Sequence, residues 1–428
     1  MGRMRQLPIS LHCCAKLTAA AVTVSCILGF TCWASTEASE STRPPSFLQM
    51  AQASRIAGRH EQQKARSKHP SSLLACPAEL QRRNPDCRVV KVRGNFRVGN
   101  KSIRPTVLHS TMVWTAVDAS LLTDHDSIVG WKPAMEDVKS RCPGETKQVS
   151  LVHHINIYAY DAKTPLTDGR TYVVGERGGP VDETSFRMLA SHDKEAGDYV
   201  LPFGYGIPLG KQALMERHVL FPKCWDFQED VVESSGMDLY VVSSRSMKPA
   251  ALVGALNFNM DVQPKQGPVE WITRMSVEKL RGFVSKNGNE WPEILAVHLH
   301  THDVAQVKYF EILNNDGSVA FQSQKEKAGY GLKEQSFANL PEIGWPRLQL
   351  RAGQQLLQHC MFNSDKLDAH VEYGLDWGQE MCAPLLVVGG SGVRPMPSLL
   401  SSMDGYLSRM HGMWADVVDD IKRLLSEH

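Results

Sequence analysis

The sequence has a net charge of only +1, because its 428 residues include 47 lysines and arginines against 46 aspartates and glutamates. A protein that binds nucleic acid or an anionic membrane mainly through charge carries a clear excess of basic residues. The near balance excludes that class of protein, and we predict no nucleic-acid partner.

Internal repeats of 20–50 residues are also absent, which excludes solenoid and propeller architectures. Two glycine-rich segments, VVGERGGP and VVGGSGVRP, lack the Lys-Ser or Lys-Thr of a phosphate-binding loop. We interpret both segments as turns. No helical periodicity of useful length occurs before about residue 397.

What the chain has instead is many short segments rich in Val, Ile, Thr and aromatic residues between about residues 85 and 390. Such segments, separated by Gly, Pro, Asn and Asp, are typical of antiparallel sandwiches. We predict an all-β fold of two antiparallel, jelly-roll-like β-sandwich domains. The Pro- and Gly-bearing stretch 261–271 places their boundary between domains 85–263 and 264–392.

The N-terminus has the pattern of a secretory signal. Arg3, Arg5 and Lys16 precede an apolar run from Leu17 to Ala34. This run is also long enough to span a bilayer, so segment 1–34 is predicted as a signal peptide or an uncleaved signal anchor. A core helix is the alternative.

A polar, flexible stem is predicted for 35–84. The protein is expected to be secreted or lumenal, with 17–34 as a candidate membrane anchor.

Ten cysteines fit the same compartment. Four lie in or beside the signal, and the remaining six are Cys76, Cys87, Cys142, Cys224, Cys360 and Cys382. An even number of cysteines in an oxidising compartment predicts disulfides, although six allow about 15 connectivities. One glycosylation sequon, at Asn100, agrees with secretion.

The C-terminal segment 393–428 differs from the rest of the chain. Apolar residues recur three or four apart, which predicts an amphipathic helix: Leu399, Leu400, Met403, Leu407, Met410, Trp414, Val417, Ile421 and Leu424. Its acidic polar face argues against membrane binding. We expect the helix to pack on its own domain or on a second copy of the chain, as a homo-oligomer contact.

Histidines supply the chemistry. His298, His300 and His302 alternate in an apolar segment, so a strand would place them on one face, where imidazoles are suited to bind copper or zinc. His153 and His154 are adjacent, and both can reach one ion only if their strand is bulged, twisted or at its end.

Several segments, in this order, resemble one known family. LVHHINIY, LPFGYGIPLG, LAVHLHTHDV and YGLDWGQEMC are similar to segments of the copper type II, ascorbate-dependent monooxygenases, the family of dopamine beta-hydroxylase and peptidylglycine alpha-hydroxylating monooxygenase. The resemblance covers roughly residues 100–390 and favours the dopamine beta-hydroxylase-like branch.

The resemblance implies two copper ions, O2, a small-molecule substrate and ascorbate as the reductant. His300, His302 and Met381 would hold the second, catalytic copper, because two nitrogens and a soft sulfur suit an ion that cycles between Cu(I) and Cu(II). His153 and His154 would bind the first, electron-storing copper. Cys360 and Cys382 would form a family disulfide beside Met381.

The first site departs from the family pattern. The segment FPKCWDF has Cys224 and Trp225 where relatives have His and Tyr. Cys224 is predicted as a thiolate ligand of the first copper. The alternative is a dead first site with Cys224 structural or disulfide-bonded, and His218, six residues away, is a candidate substitute.

The substrate pocket departs as well. Peptidylglycine enzymes hold a carboxylate with an Arg, an Asn and a Tyr, where this chain has His298, Ala383 and Leu385. Neither Ala nor Leu replaces such contacts, so a peptidylglycine substrate is not expected. His298 is then predicted to be a neighbour in the pocket and not a ligand.

The sequence therefore predicts a monooxygenase that hydroxylates a C–H bond. Its main alternative is a catalytically impaired copper-binding or interaction protein that keeps only the second copper. A third reading is a zinc-binding β-sandwich without a redox role.

Overall fold

The computed structural model describes most of the chain between residues 75 and 392. The described ranges are 75–98, 110–123, 125–160, 171–173, 186–193, 197–210, 212–226, 230–243, 247–255, 257, 260–285, 289–302, 304–328, 336–374 and 379–392. All of them belong to one of two contact-defined units, Leu73–His428. The predicted signal or anchor, residues 35–74 of the stem, Asn100 and the C-terminal helix lie outside the described residues.

Strands dominate these ranges. The first fifteen strands are β1 Arg88–Arg93, β2 Phe96–Val98, β3 Ser110–Ala116, β4 Asp126–Ala134, β5 Asp137–Lys139, β6 Gln148–Ser150, β7 Val152–Tyr160, β8 Thr171–Val173, β9 Phe186–Asp193, β10 Tyr199–Val200, β11 Tyr205–Pro208, β12 Ala213–Leu220, β13 Val231–Glu233, β14 Gly236–Ser243 and β15 Lys248–Gly254. The next eleven are β16 Asp261–Val262, β17 Pro268–Ser276, β18 Glu293–Thr301, β19 Ala305–Leu313, β20 Val319–Gln322, β21 Glu326–Lys327, β22 Ala338–Asn339, β23 Leu348–Gln349, β24 Gln355–Asn363, β25 Val371–Glu372 and β26 Cys382–Gly389. This confirms the all-β class, while the jelly-roll-like division into two domains stays a prediction.

Two short α-helices also occur in the described part of the chain, α1 Ala78–Arg83 and α2 Val277–Val284, with 3₁₀ turns at Ala119–Leu121, Leu340–Ile343 and Ser364–Lys366. The sequence analysis did not anticipate either helix. In α2, Val277, Leu280 and Val284 are buried at helical spacing, but eight residues are too few for the periodicity to stand out. None of the helices described is long and apolar enough to cross a membrane.

One large sheet runs through both predicted halves. Its ten strands include the path β1-β14-β4-β11-β15-β26-β18-β22, with β10 beside β4 and β23 beside β18. The link is the antiparallel pairing of β15 with β26, from Ala250↔Gly389 to Gly254↔Leu385. The pairing of β11 with β15 is parallel. Strands of the two halves therefore share one hydrogen-bonded ladder.

Two smaller sheets cover this large one. The sheet β8-β3-β12-β7-β9 encloses a core with Trp131, Ile155 and Leu189 of the first half, to which Ala296 and Val387 of the second half also belong. The sheet β17-β24-β19-β20 encloses a second core. Strands β12 and β18, which carry candidate histidines, are buried on both faces.

Three disulfides join the six cysteines of the described chain: Cys76–Cys87, Cys142–Cys224 and Cys360–Cys382. Disulfides indicate an oxidising, secretory or extracellular environment. The first one fastens α1 to the large sheet, where Leu80 packs near Tyr240 and Val242. Residues 75–84, which the sequence analysis assigns to the stem, are held by the burial of Leu80 and by this disulfide, while the bounds of the stem stay a prediction.

A buried ion pair joins β12 to β13. The side chains of Arg217 and Glu233 are fully buried, with Nη1 and Oε2 2.5 Å apart. The guanidinium also donates to the carbonyl of Gly94 and to the hydroxyl of Thr115. Burial lowers the pKa of Arg217, and the Glu233 carboxylate opposes this shift. Because Arg217 precedes His218 in β12, the ion pair fixes this strand on the face opposite to His218.

Replacing Glu233 with alanine leaves the Arg217 charge buried without its carboxylate. We expect Glu233→Ala to lower the free energy of unfolding by about 3–5 kcal/mol, measured by denaturant titration. The control is Lys132→Ala, which removes an exposed pair with Asp198 at 3.5 Å and should change little. An equally small effect of Glu233→Ala would contradict the role assigned to the pair.

Candidate metal centre

A bulge in β7 brings two adjacent histidines to one side of the strand. His154 pairs with His218 of β12, whereas the next pair along the two strands is Val152 with Val219. β7 therefore has one extra residue, His153, at this point. Such a bulge turns neighbouring side chains toward the same side. An irregular strand is what the sequence analysis requires if His153 and His154 are to bind one ion.

The three imidazoles form a compact triangle. The ring centres are 5.3 Å apart for His153 and His154, 5.1 Å for His153 and His218, and 5.0 Å for His154 and His218. One nitrogen from each ring lies within 4.8 Å of the others. The Nδ1 atoms of His153 and His154 are 3.2 Å apart, close to the roughly 3.3 Å between two nitrogens on one tetrahedral ion. The triangle fits a metal ion.

The buried environment of His218 favours the neutral imidazole that binds a metal ion. His218 is 1% exposed, and burial, followed by the nearby His154 and His302, holds its pKa well below the usual value. A neutral imidazole has a lone pair for a metal. Among the described residues, its Nδ1 has no hydrogen-bond partner.

A carboxylate behind the triangle orients His154. Oε1 of Glu216 lies 3.4 Å from Nε2 of His154 and accepts from Nδ2 of Asn156 at 3.0 Å. Ser191 in turn donates to Oδ1 of Asn156 at 2.7 Å. A hydrogen on Nε2 places the lone pair of His154 on Nδ1, toward His153. Sequence reasoning missed Glu216, although its position two residues before His218 places it on the same strand face.

His298 and His300 of β18, and His302 just after its last residue, occupy one buried row. His298 and His300 stack with ring centres 5.8 Å apart, and His300 meets His302 at 5.1 Å. All three are at most 5% exposed. The shared face that the alternation predicts is therefore present, and it lies opposite Val297 and Leu299, which pack into the second core.

Met381 lies next to this row in the register. Thr301 pairs with Cys382 and His300 with Ala383, so Met381 comes one step beyond, beside His302. Met381 is 8% exposed and belongs to an apolar cluster that contains both Cys360 and Cys382. The disulfide between these cysteines is the pair that the resemblance implies, and it fixes the residue after Met381.

The two sets of histidines touch each other. The rings of His153 and His302 lie 5.6 Å apart at 77°. A continuous series of rings therefore leads from His300 through His302 to His153 and on to His154 and His218. Nδ1 of His302 lies 2.9 Å from the carbonyl oxygen of Gln379, so donation to that carbonyl leaves the lone pair of His302 on Nε2.

Cys224 is not available as a third metal ligand beside His153 and His154. Its sulfur is bonded to Cys142, and a disulfide sulfur is not the thiolate that binds metals. The predicted ligand role of Cys224 is therefore wrong in this structure. His218, considered in the sequence only as a substitute, takes the third place. The pairing of Cys224 with a cysteine 82 residues away left no local signal in the sequence.

His298, Ala383 and Leu385 lie together on neighbouring strands. His298 pairs with Leu385 and His300 with Ala383 on neighbouring strands. The ring of Phe337 lies 5.0 Å from that of His298 and 5.5 Å from that of Trp131. The surroundings of His298 are thus aromatic and aliphatic, with no arginine among these neighbours.

Comparisons with known proteins identify no family. No protein-family model and no curated protein matches the chain. Among solved structures, the major capsid protein P2 of bacteriophage PM2 is 10% identical over 69% of this chain and 97% of that chain, with a TM-score of 0.27. The subviral particle of infectious bursal disease virus VP2 is 12% identical over 72% and 73%, with a TM-score of 0.20. Likenesses this weak carry no argument.

The place of His218, and not Cys224, beside His153 and His154 is testable with two variants. We expect Cys142→Ser/Cys224→Ser to bind Cu²⁺ at the first site as the wild type does, while losing stability by about 4–5 kcal/mol for a loop of 82 residues. His218→Ala should weaken that binding by about a hundredfold or more, since a direct ligand is worth more than an outer-shell contact. Competition with a chelator measures both. A larger loss of Cu²⁺ affinity in the double cysteine variant than in His218→Ala would show that Cys224 is the ligand.

The orienting role of Glu216 gives another expectation. Glu216→Gln should weaken metal binding at the triangle about tenfold to a hundredfold, because the tautomer of His154 is no longer set by a carboxylate. The matched control is Glu311→Gln, whose carboxylate lies 3.3 Å from Nε2 of His359, a histidine outside the triangle. Equal affinities of both variants would refute the orienting role of Glu216.

Proposed function

We propose that this protein is a copper-dependent monooxygenase that hydroxylates a C–H bond of a small substrate with O2 and a one-electron donor such as ascorbate. The proposal rests on one observation above all. An all-nitrogen set, His153, His154 and His218, adjoins a set of two nitrogens and a thioether, His300, His302 and Met381. Imidazole and thioether ligands together are those that suit copper in both oxidation states.

The residues of the two sets have separate tasks. The triangle offers three imidazoles, one of them oriented by Glu216, and would hold an ion that stores one electron. His300, His302 and Met381 would hold a second ion, at which O2 and the substrate would meet. When bound, copper supplies the one-electron redox chemistry and the binding of oxygen, which no protein side chain here provides.

The overall reaction needs two electrons. A C–H bond and O2, with two electrons and two protons, give an alcohol and one water. Ascorbate can deliver electrons singly, so one electron must be stored and passed on. The contact of His153 with His302 at 5.6 Å supports a short path between the two sets.

The surroundings of His298 favour a substrate without a carboxylate at that point. Its neighbours Phe337, Ala383 and Leu385 offer apolar contacts, and none of these three side chains can bind a carboxylate as an arginine does. We therefore propose a small, partly apolar substrate. The C-terminal helix 393–428 is proposed as a contact between copies of the chain.

A catalytically impaired copper-binding protein is the second candidate. The observation that favours it is the disulfide of Cys224, which removes the residue at the position of the relatives' third histidine. Under this proposal only the set around Met381 holds copper. A zinc-binding sandwich is the third candidate, since three imidazoles also suit zinc.

Metal content together with oxygen uptake separates these functions. We expect two coppers per chain and ascorbate-dependent oxygen consumption in the presence of substrate. His153→Ala should retain one copper and Met381→Ile should retain cupric binding, and both should lose turnover, because electron storage and the soft ligand are removed. His370→Ala, an exposed histidine, is the control and should behave as wild type.

One copper per chain without ascorbate-dependent oxygen consumption would contradict the proposed monooxygenase and favour the copper-binding protein. Zinc as the only metal retained would contradict both. Metal analysis by mass spectrometry and an oxygen electrode give these readings on the same sample.

A further inference from the structure

A buried carboxylate ties the two candidate ligand segments of the second site together. Glu380 has no exposed surface and immediately precedes Met381. Its Oε1 accepts hydrogen bonds from the backbone N–H groups of both His302 and Met381, the latter at 2.8 Å. One oxygen atom therefore bridges the backbones of two candidate ligands that lie 79 residues apart in the sequence.

The second oxygen holds the chain just after His302. Oε2 accepts from the N–H groups of Val304 at 2.9 Å and Ala305 at 2.8 Å. The carboxylate thus receives four backbone donors, which is unusual for a side chain and satisfies a charge that burial would otherwise make costly. Burial raises the pKa of Glu380, and these donors oppose that shift.

Neighbouring residues complete the attachment. The carbonyl oxygen of Gln379 holds Nδ1 of His302, and the disulfide of Cys382 fixes the chain on the other side of Met381. The backbone of Glu380 is itself bonded to Glu372, with its N–H 3.0 Å from that carbonyl oxygen. His302 is therefore held at its backbone and at its ring by the segment that carries the sulfur.

We propose that Glu380 is a positioning residue of the second site, which fixes His302 and Met381 relative to each other so that a cuprous ion keeps its sulfur ligand. The inference rests on the proposed function. It adds that the ligand pair is preorganised by Glu380 before metal arrives. Cu(II) depends mainly on the imidazoles, whereas Cu(I) favours the thioether, so loss of the attachment should affect Cu(I) more than Cu(II).

The test compares Glu380→Gln with a matched control. Gln has the same shape, but its NH2 cannot accept, so two of the four backbone donors lose their acceptor. The control Glu278→Gln alters a carboxylate that also accepts a backbone N–H, from Gly353 at 2.7 Å, and contacts no candidate ligand. Met381→Ile shows what complete loss of the sulfur does.

We expect Glu380→Gln to weaken Cu(I) binding about tenfold to a hundredfold, with a smaller change for Cu(II), and to reduce the copper–sulfur signal in X-ray absorption toward that of Met381→Ile. Glu278→Gln should match wild type. Unchanged Cu(I) affinity and sulfur signal in a folded Glu380→Gln protein would overturn the proposal, as would equal losses for Cu(I) and Cu(II).

Hydrogen exchange of the metal-free protein gives a reading that needs no copper and no variant. The amides of His302, Val304, Ala305 and Met381 should be protected in the wild type, as buried hydrogen bonds are. Rapid exchange at these four amides would overturn the proposal. If the wild type bound no Cu(I), the proposed function would fail, and this measurement would still decide whether Glu380 fixes the two segments.

Discussion

The pairing of β15 with β26 is the constraint on which the arrangement of the histidines depends. It joins strands of the two predicted halves into one ladder, and the other edge of β26 pairs with β18, which carries His298 and His300. With β18 held in this sheet, the opposite sheet brings β7 and β12 against it across a shared core. The contact of His153 with His302 follows from that layering.

Burial gives these histidines their chemical character. Imidazoles removed from water lose the charged form first, as the lowered pKa of His218 shows. Buried polar groups also need partners, and here the partners are oriented acceptors: Glu216 for His154, and the carbonyl of Gln379 for His302. The same interactions that satisfy the rings decide which nitrogen faces a metal. Stability and ligand geometry thus depend on the same polar contacts.

Much of the candidate site could be predicted from the sequence, because it follows from local periodicity. Alternation placed His298, His300 and His302 on one strand face, and the structure places them there. The adjacent His153 and His154 required an irregular strand, and β7 has its register shift at this point. Cys224 was misjudged, since its place in a motif says nothing about the distant Cys142 that binds its sulfur. Glu380 was visible beside Met381, but three of its four donors, His302, Val304 and Ala305, lie far from it in the sequence.

The sequence by itself determined the class of structure and the donor atoms. Strand periodicity is a property of neighbouring residues, so the all-β fold and the face of each histidine could be read from the chain. Only the tertiary structure decided which donors meet. His218 replaced Cys224, and His302 came against His153, through pairings and layers between residues far apart. Such contacts depend on how whole sheets pack, and no short segment contains that information.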